Sequence, residues 1–149
     1  MSVALEELAF SEDHVWVTVA TRFATPDFGS VFGARKIELR DYGVMFTYVD
    51  SNSQSWRILA PWSNVGSLLQ SLSDTVPLVG LTELAFSESA DTFVSYALSF
   101  NSSTGAVTAS SVVQALALDI RDDGVMFTDS AALRFVPWQS VQFVYQQGS

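Results

Sequence analysis

The letters GVMFT stand at residues 43–47, inside IELRDYGVMFTYVD, and again at residues 124–128, inside LDIRDDGVMFTDS. They are the middle of three matched blocks that recur in one order. LEELAFSE at 5–12 returns as LTELAFSE at 81–88, RDYGVMFT at 40–47 returns as RDDGVMFT at 121–128, and PWSNV at 61–65 returns as PWQSV at 137–141. The offsets are 76, 81 and 76 residues, so five residues are gained before the second block and lost again before the third. Ordered blocks at near-constant spacing are the signature of an internal repeat. We read one domain, residues 1–149, built of tandem halves near 4–72 and 80–146.

Each half reads as strands. Val15, Val17 and Val19 alternate with Trp16 and Thr18, and Ile37 and Leu39 alternate with Glu38 and Arg40. The second copy repeats that alternation with Leu116, Leu118 and Ile120. Between the strands, Asp41 and Asp122 are placed to open turns through their own backbone, with Gly43 and Gly124 supplying a positive φ at the turn end. A hairpin follows each. Pro61 and Pro137 belong at strand ends or edges, because proline cannot donate to a ladder. Trp62 and Trp138, one after each proline, are repeat-related and expected to share a packing role. WSNVGSLLQSLSD spaces Val65, Leu68, Leu69 and Leu72 as a helical stripe with Ser63 as cap, which predicts one short helix between the halves. Its counterpart VQFVYQQ alternates as a last strand. The expected fold is mainly β, internally duplicated, with two related antiparallel sheets of four or five strands each closing as a sandwich or a barrel.

Composition narrows the function. The chain carries seven Lys and Arg against sixteen Asp and Glu, for a net charge of −9. Nucleic-acid binding needs a basic footprint, and an anionic membrane surface needs one too, so neither is an expected partner. Cysteine is absent, which excludes disulfides and thiolate metal sites. No apolar run reaches the ~20 residues of a membrane-spanning helix, and the acidic start MSVALEELAF lacks the basic flank of a signal peptide. The expectation is a soluble protein, cytoplasmic or inside an assembled particle. Only 15% of residues are charged while 48% are hydrophobic, which suits a surface partly covered by other molecules.

The run from Asp122 to Val141, with its glycine-led hairpin and Pro-Trp-x-x-Val step, resembles the later strands of bacterial pleckstrin-homology-like domains. The run from Asp41 to Val65 is similar but carries a longer hairpin tip. That resemblance implies a scaffold that binds proteins or membranes and holds no catalytic residues.

Catalytic chemistry finds little to use. His14 is the sole histidine and has no cysteine or second histidine to complete a transition-metal site. Carboxylates recur between the copies as Glu7 and Glu83, Glu12 and Glu88, and Asp41 and Asp122, yet turn and solvated positions explain them without acid–base work. Asp119, Asp122, Asp123 and Asp129 gather near one turn without the spacing of a calcium loop. No catalytic residue, metal or cofactor is expected. Aromatic residues without a repeat counterpart are more informative. Trp16, Phe23, Phe28, Phe32 and Trp56 are interface candidates, several of them around the loop ATPDFGSVFG. Folding of that loop back onto the core is an open alternative. The leading expectation is a non-enzymatic structural or assembly protein that works through self-association or a protein partner, such as a subunit of a phage particle. A β module holding a small apolar ligand or lipid is the alternative, and a carboxylate-based enzyme ranks last.

Overall fold

Alternation decides which side chains turn inward. In β1 (Val15–Val19) the three valines are buried and Trp16 faces out. The computed structural model describes residues 3–5, 15–19, 31–70 and 85–147. Within them follow β2 (Val31–Ala34), β3 (Lys36–Arg40), β4 (Gly43–Val49), β5 (Ser55–Pro61) and β6 (Val65–Leu69). The later part of the chain forms β7 (Thr92–Phe100), β8 (Val107–Ala115), β9 (Ala117–Ile120), β10 (Gly124–Thr128), β11 (Leu133–Pro137) and β12 (Val141–Gln147). Two 3-10 turns, Trp62–Asn64 and Trp138–Ser140, interrupt the paths from β5 to β6 and from β11 to β12.

Bends divide the strands among sheets. β2 and β3 form one extended run broken at Arg35, whose amide donates to Thr47 O at 2.9 Å. β8 and β9 are broken in the same way at Leu116, whose amide donates to Thr128 O at 2.8 Å. The result is three antiparallel sheets, ordered β2-β1-β6, β11-β10-β9 and β3-β4-β5-β12-β7-β8. The six-stranded sheet takes three strands from each half, joined where β5 pairs with β12.

That central sheet is apolar on both faces. Val44, Phe46, Ile58, Ala60 and Phe143 face one way and pack on the valines of β1 and on Phe32 and Ala34 of β2. Met45, Leu59 and Val144, their immediate neighbours in sequence, face the other way and pack on Val125, Phe127 and Val136 of β10 and β11. Period-two alternation therefore puts the small sheets on opposite faces of the large one.

Three expectations from sequence are corrected. The sheets number three rather than two, since β12 pairs with both β5 and β7 and so fuses strands of both halves into one sheet. None closes into a barrel, since the end strands β3 and β8 of that sheet do not pair with each other. The stretch read as a helix is a 3-10 turn followed by strand β6; its apolar spacing loses to pairing with β1, in which Leu68 lies opposite Val17. The end of that stretch lies outside the described residues. Gly43 and Gly124 do not supply a positive φ, which among the described residues occurs only at Ser53 and Gly105. They are needed for another reason. A Cβ on Gly43 would lie 2.4 Å from Ala60 O, and one on Gly124 would lie 2.3 Å from Val136 O. The neighbouring strand passes too close for any side chain.

Candidate functional site

The two Pro-Trp corners share a construction. Trp62 Nε1 donates to Arg40 O and Trp138 Nε1 donates to Arg121 O, both at 2.8 Å. Each indole thus ties its corner to the end of the strand two positions across the sheet, β3 or β9. Their surroundings differ. Tyr42 stacks on Trp138 at a centroid distance of 5.2 Å and 10° between planes, leaving Trp138 8% exposed. The residue matching Tyr42 in the second half is Asp123, which offers no ring, and Trp62 is 39% exposed.

Asp41 and Asp122, read from sequence as turn residues, do sit in the loops before β4 and β10, with exposed side chains. The aspartates that organise turns are others. Asp50 Oδ1 accepts the amides of Asn52 and Gln54, each at 2.9 Å, and its Oδ2 accepts Trp56 Nε1 at 3.0 Å. Asp129 Oδ1 accepts the amides of Ala131 and Ala132 at 2.8 Å, and Oδ2 accepts Arg134 Nε at 2.6 Å. Sequence reasoning passed over Asp50 and named Asp129 only within a loose group of carboxylates, although each stands one residue past its strand at a hairpin tip, where Asx turns form. The bond from Arg134 and those from the two amides hold the Asp129 carboxyl down to about 2. A depressed carboxyl stabilises the fold above its unfolded value near 3.8, and that contribution is lost as pH falls through about 2. In a carbon-13 titration, Asp129 is expected to show a midpoint near 2 that climbs toward 3.8 in Arg134→Ala. A midpoint already near 3.8 in the intact chain would mean that the tip is not held this way in solution.

Buried glutamines are the other feature missed. Gln142 Oε1 accepts Ser95 Oγ at 2.6 Å. Gln146 accepts the Ser87 amide at 2.9 Å and donates to Ser87 O at 2.6 Å and to Thr92 Oγ1 at 2.8 Å. The sequence reading of VQFVYQQ as a last strand gives Gln142 and Gln146 no role. They are buried because β12 lies inside the sheet, and their amides pair because a buried polar group without a partner is costly.

The interface candidates separate. Phe32 is a core residue, with its ring 5.4 Å from Phe46 and 5.8 Å from Phe143, so it cannot meet a partner from the folded chain. It belongs to β2, whose alternation turns it inward. Trp56 is half-buried against Tyr145 and donates to Asp50. Trp16 faces outward opposite Leu69. Phe23, Phe28 and His14 lie outside the described residues.

Exposed apolar side chains gather instead at strand edges. β11 ends one sheet and β6 ends another, with no further neighbour among the described residues. Leu133 and Phe135 on β11 are 66% and 43% exposed, and Leu69 on β6 is 61% exposed. An uncovered edge of this kind is a template for pairing with another chain, and neither carries the lysines that usually protect one.

A cleft of about 670 Å³ opens between β3, β4, β9 and the segment before β7, lined by Arg40, Tyr42, Met45, Phe86, Leu118 and Gln146 among others. Its guanidinium is engaged, with Arg40 Nε on Glu38 Oε1 at 3.1 Å and Nη1 on Tyr42 Oη at 2.9 Å. Among the described residues, no three His, Cys, Asp or Glu side chains gather as metal ligands, and no helix is long and apolar enough to cross a membrane. No family model, curated protein or solved structure matches the chain.

Proposed function

We propose that this chain is a non-enzymatic structural protein that acts through protein–protein contacts, as a subunit of a larger assembly such as a phage particle. The observation that carries this reading is the apolar character of the open edges. Leu69, Leu133 and Phe135 stand exposed on strands with no further neighbour among the described residues, in a chain with only 15% charged residues. Protein is the partner chemistry those edges suit, because a strand offers both a hydrogen-bonding row and apolar side chains to pack on theirs. Tandem duplication belongs to the same reading, supported by the matched Trp62 and Trp138 bonds and the matched glycine approaches. A doubled strand unit also suits the scaffold role implied by the pleckstrin-homology-like resemblance.

Sedimentation velocity over a range of concentrations tests the proposal. The expected result is a species heavier than the 16.3 kDa chain, either self-associated or bound to a protein from its native setting. A monomer at every concentration, isolated from that setting without any protein attached, would refute it. A second reading, a module for a small apolar ligand or lipid, has the cleft beside β9 in its favour. It predicts a ligand retained in native mass spectrometry.

A further inference from the structure

The junction between the halves is itself a recognition event. In it β5 pairs antiparallel with β12, with Leu59 opposite Val144, Ile58 opposite Tyr145 and Arg57 opposite Gln146. Leu59, Ile58 and Val144 are fully buried there. The sequence repeat supplies each of these strands with a counterpart. Seventy-six residues beyond β5 lies β11, as Pro61 matches Pro137, and seventy-six before β12 lies β6, as Val141 matches Val65.

Among the described residues neither counterpart has a partner of this kind: β11 and β6 are edge strands in separate sheets, and no pairing joins them. Phe135, the match of buried Leu59, is 43% exposed, and Leu69, the match of Tyr145, is 61% exposed. Trp62 is exposed where its match Trp138 lies under Tyr42 from the other half. Among the described residues, the elements that are covered at the junction stand uncovered on β11 and β6.

We propose that the chain joins head to tail with further copies of itself, β11 of one copy pairing antiparallel with β6 of the next in the register of the internal junction. This rests on the protein–protein reading above and specifies its partner. The occupant is a second copy because the chain already contains the complementary half of each edge. Carrying the β5–β12 register across by the repeat sets Phe135 opposite Leu68 of the next copy and Arg134 opposite its Leu69. Trp62 of that next copy then lies at the junction, where Trp138 lies in the internal one. Such a contact joins unlike surfaces, so it builds rings where the rotation closes and filaments where it does not.

Two single-edge variants test it. Leu69→Lys blocks β6 and sets a lysine opposite Arg134 of the neighbour, and like charges directly opposite disfavour pairing. Phe135→Lys blocks β11. Both positions are exposed, and circular dichroism checks that each variant keeps its strand content. Wild type is expected to run as a multimer in multi-angle light scattering and each variant as a monomer. An equimolar mixture of the two is expected to stop at a dimer of twice the 16.3 kDa chain mass, since one β11 and one β6 remain usable between them. Multimers that persist in both variants would overturn the head-to-tail pairing and leave the protein–protein reading standing. Variants that stay monomeric when mixed would likewise overturn it, since unlike edges would then fail to complement. A wild-type monomer at high concentration, with no other protein bound, would overturn both.

Discussion

Phe143→Ala is expected to lower the unfolding free energy by about 3–5 kcal/mol, as for other buried phenylalanines truncated to alanine. The side chain is fully buried, and its ring meets Phe32 edge-on at 5.8 Å. Its position enlarges the consequence. Phe143 belongs to β12, in the second half, yet it packs in the cluster built on β1 to β5, the first half. Among the buried residues of that cluster it is the one from the second half, while Leu59 and Met45 cross in the opposite direction. The cavity left by alanine opens between layers held by different halves, where neither can relax without disturbing the β5–β12 pairing. Urea denaturation followed by tryptophan fluorescence and by far-ultraviolet circular dichroism measures the loss. Phe143→Leu, which keeps most of the volume, should cost less than about 1.5 kcal/mol. If alanine and leucine cost the same, the ring does not fill the space between the layers.

Gly43→Ala and Gly124→Ala are each expected to destabilise by about 1–3 kcal/mol, toward the upper end because the obstruction is backbone. The added methyl would meet Ala60 O at 2.4 Å in the first case and Val136 O at 2.3 Å in the second. No rotamer change relieves a contact with a carbonyl in a paired strand. The two sites should not respond alike. β5 beside Gly43 is fixed by β12 on its other side, whereas β11 beside Gly124 has no further neighbour among the described residues and can shift outward. The larger loss is therefore expected at Gly43, and urea midpoints of the two variants provide the comparison. A larger loss at Gly124 in the isolated monomer would contradict the free-edge assignment of β11.

The strands themselves were legible, because period-two alternation is local and the repeated GVMFT supplied each hairpin twice. What a strand does next was not. VGSLL has the spacing of a helical stripe, and its fate as β6 depends on Val17, far away in sequence. Gly43 was recognised as necessary but for the wrong cause, since a close approach by β5 is a tertiary fact with no local trace. Phe32 looked like an interface ring because its neighbours are Pro and Gly, while its burial is set by the layer above β4. The burial of Gln142 and Gln146 left no local signal, because one strand cannot announce that it will have neighbours on both sides. The edges that carry the proposed function were invisible for the same reason. Phe135 and Leu59 sit in matching sequence contexts, and only the pairing of β12 separates them.

The late arrival of β12 bears on synthesis. Leu59 must wait for Val144, 85 residues further along. At translation rates of about 5–20 residues per second, β5 spends roughly 4–17 s outside the ribosome before that neighbour exists. Polysomes crowd several such nascent chains together, each displaying an unsatisfied β5. A finished β12 from one chain can then lock onto the β5 of another, so domain-swapped products should accumulate as expression rate rises and diminish when translation is slowed.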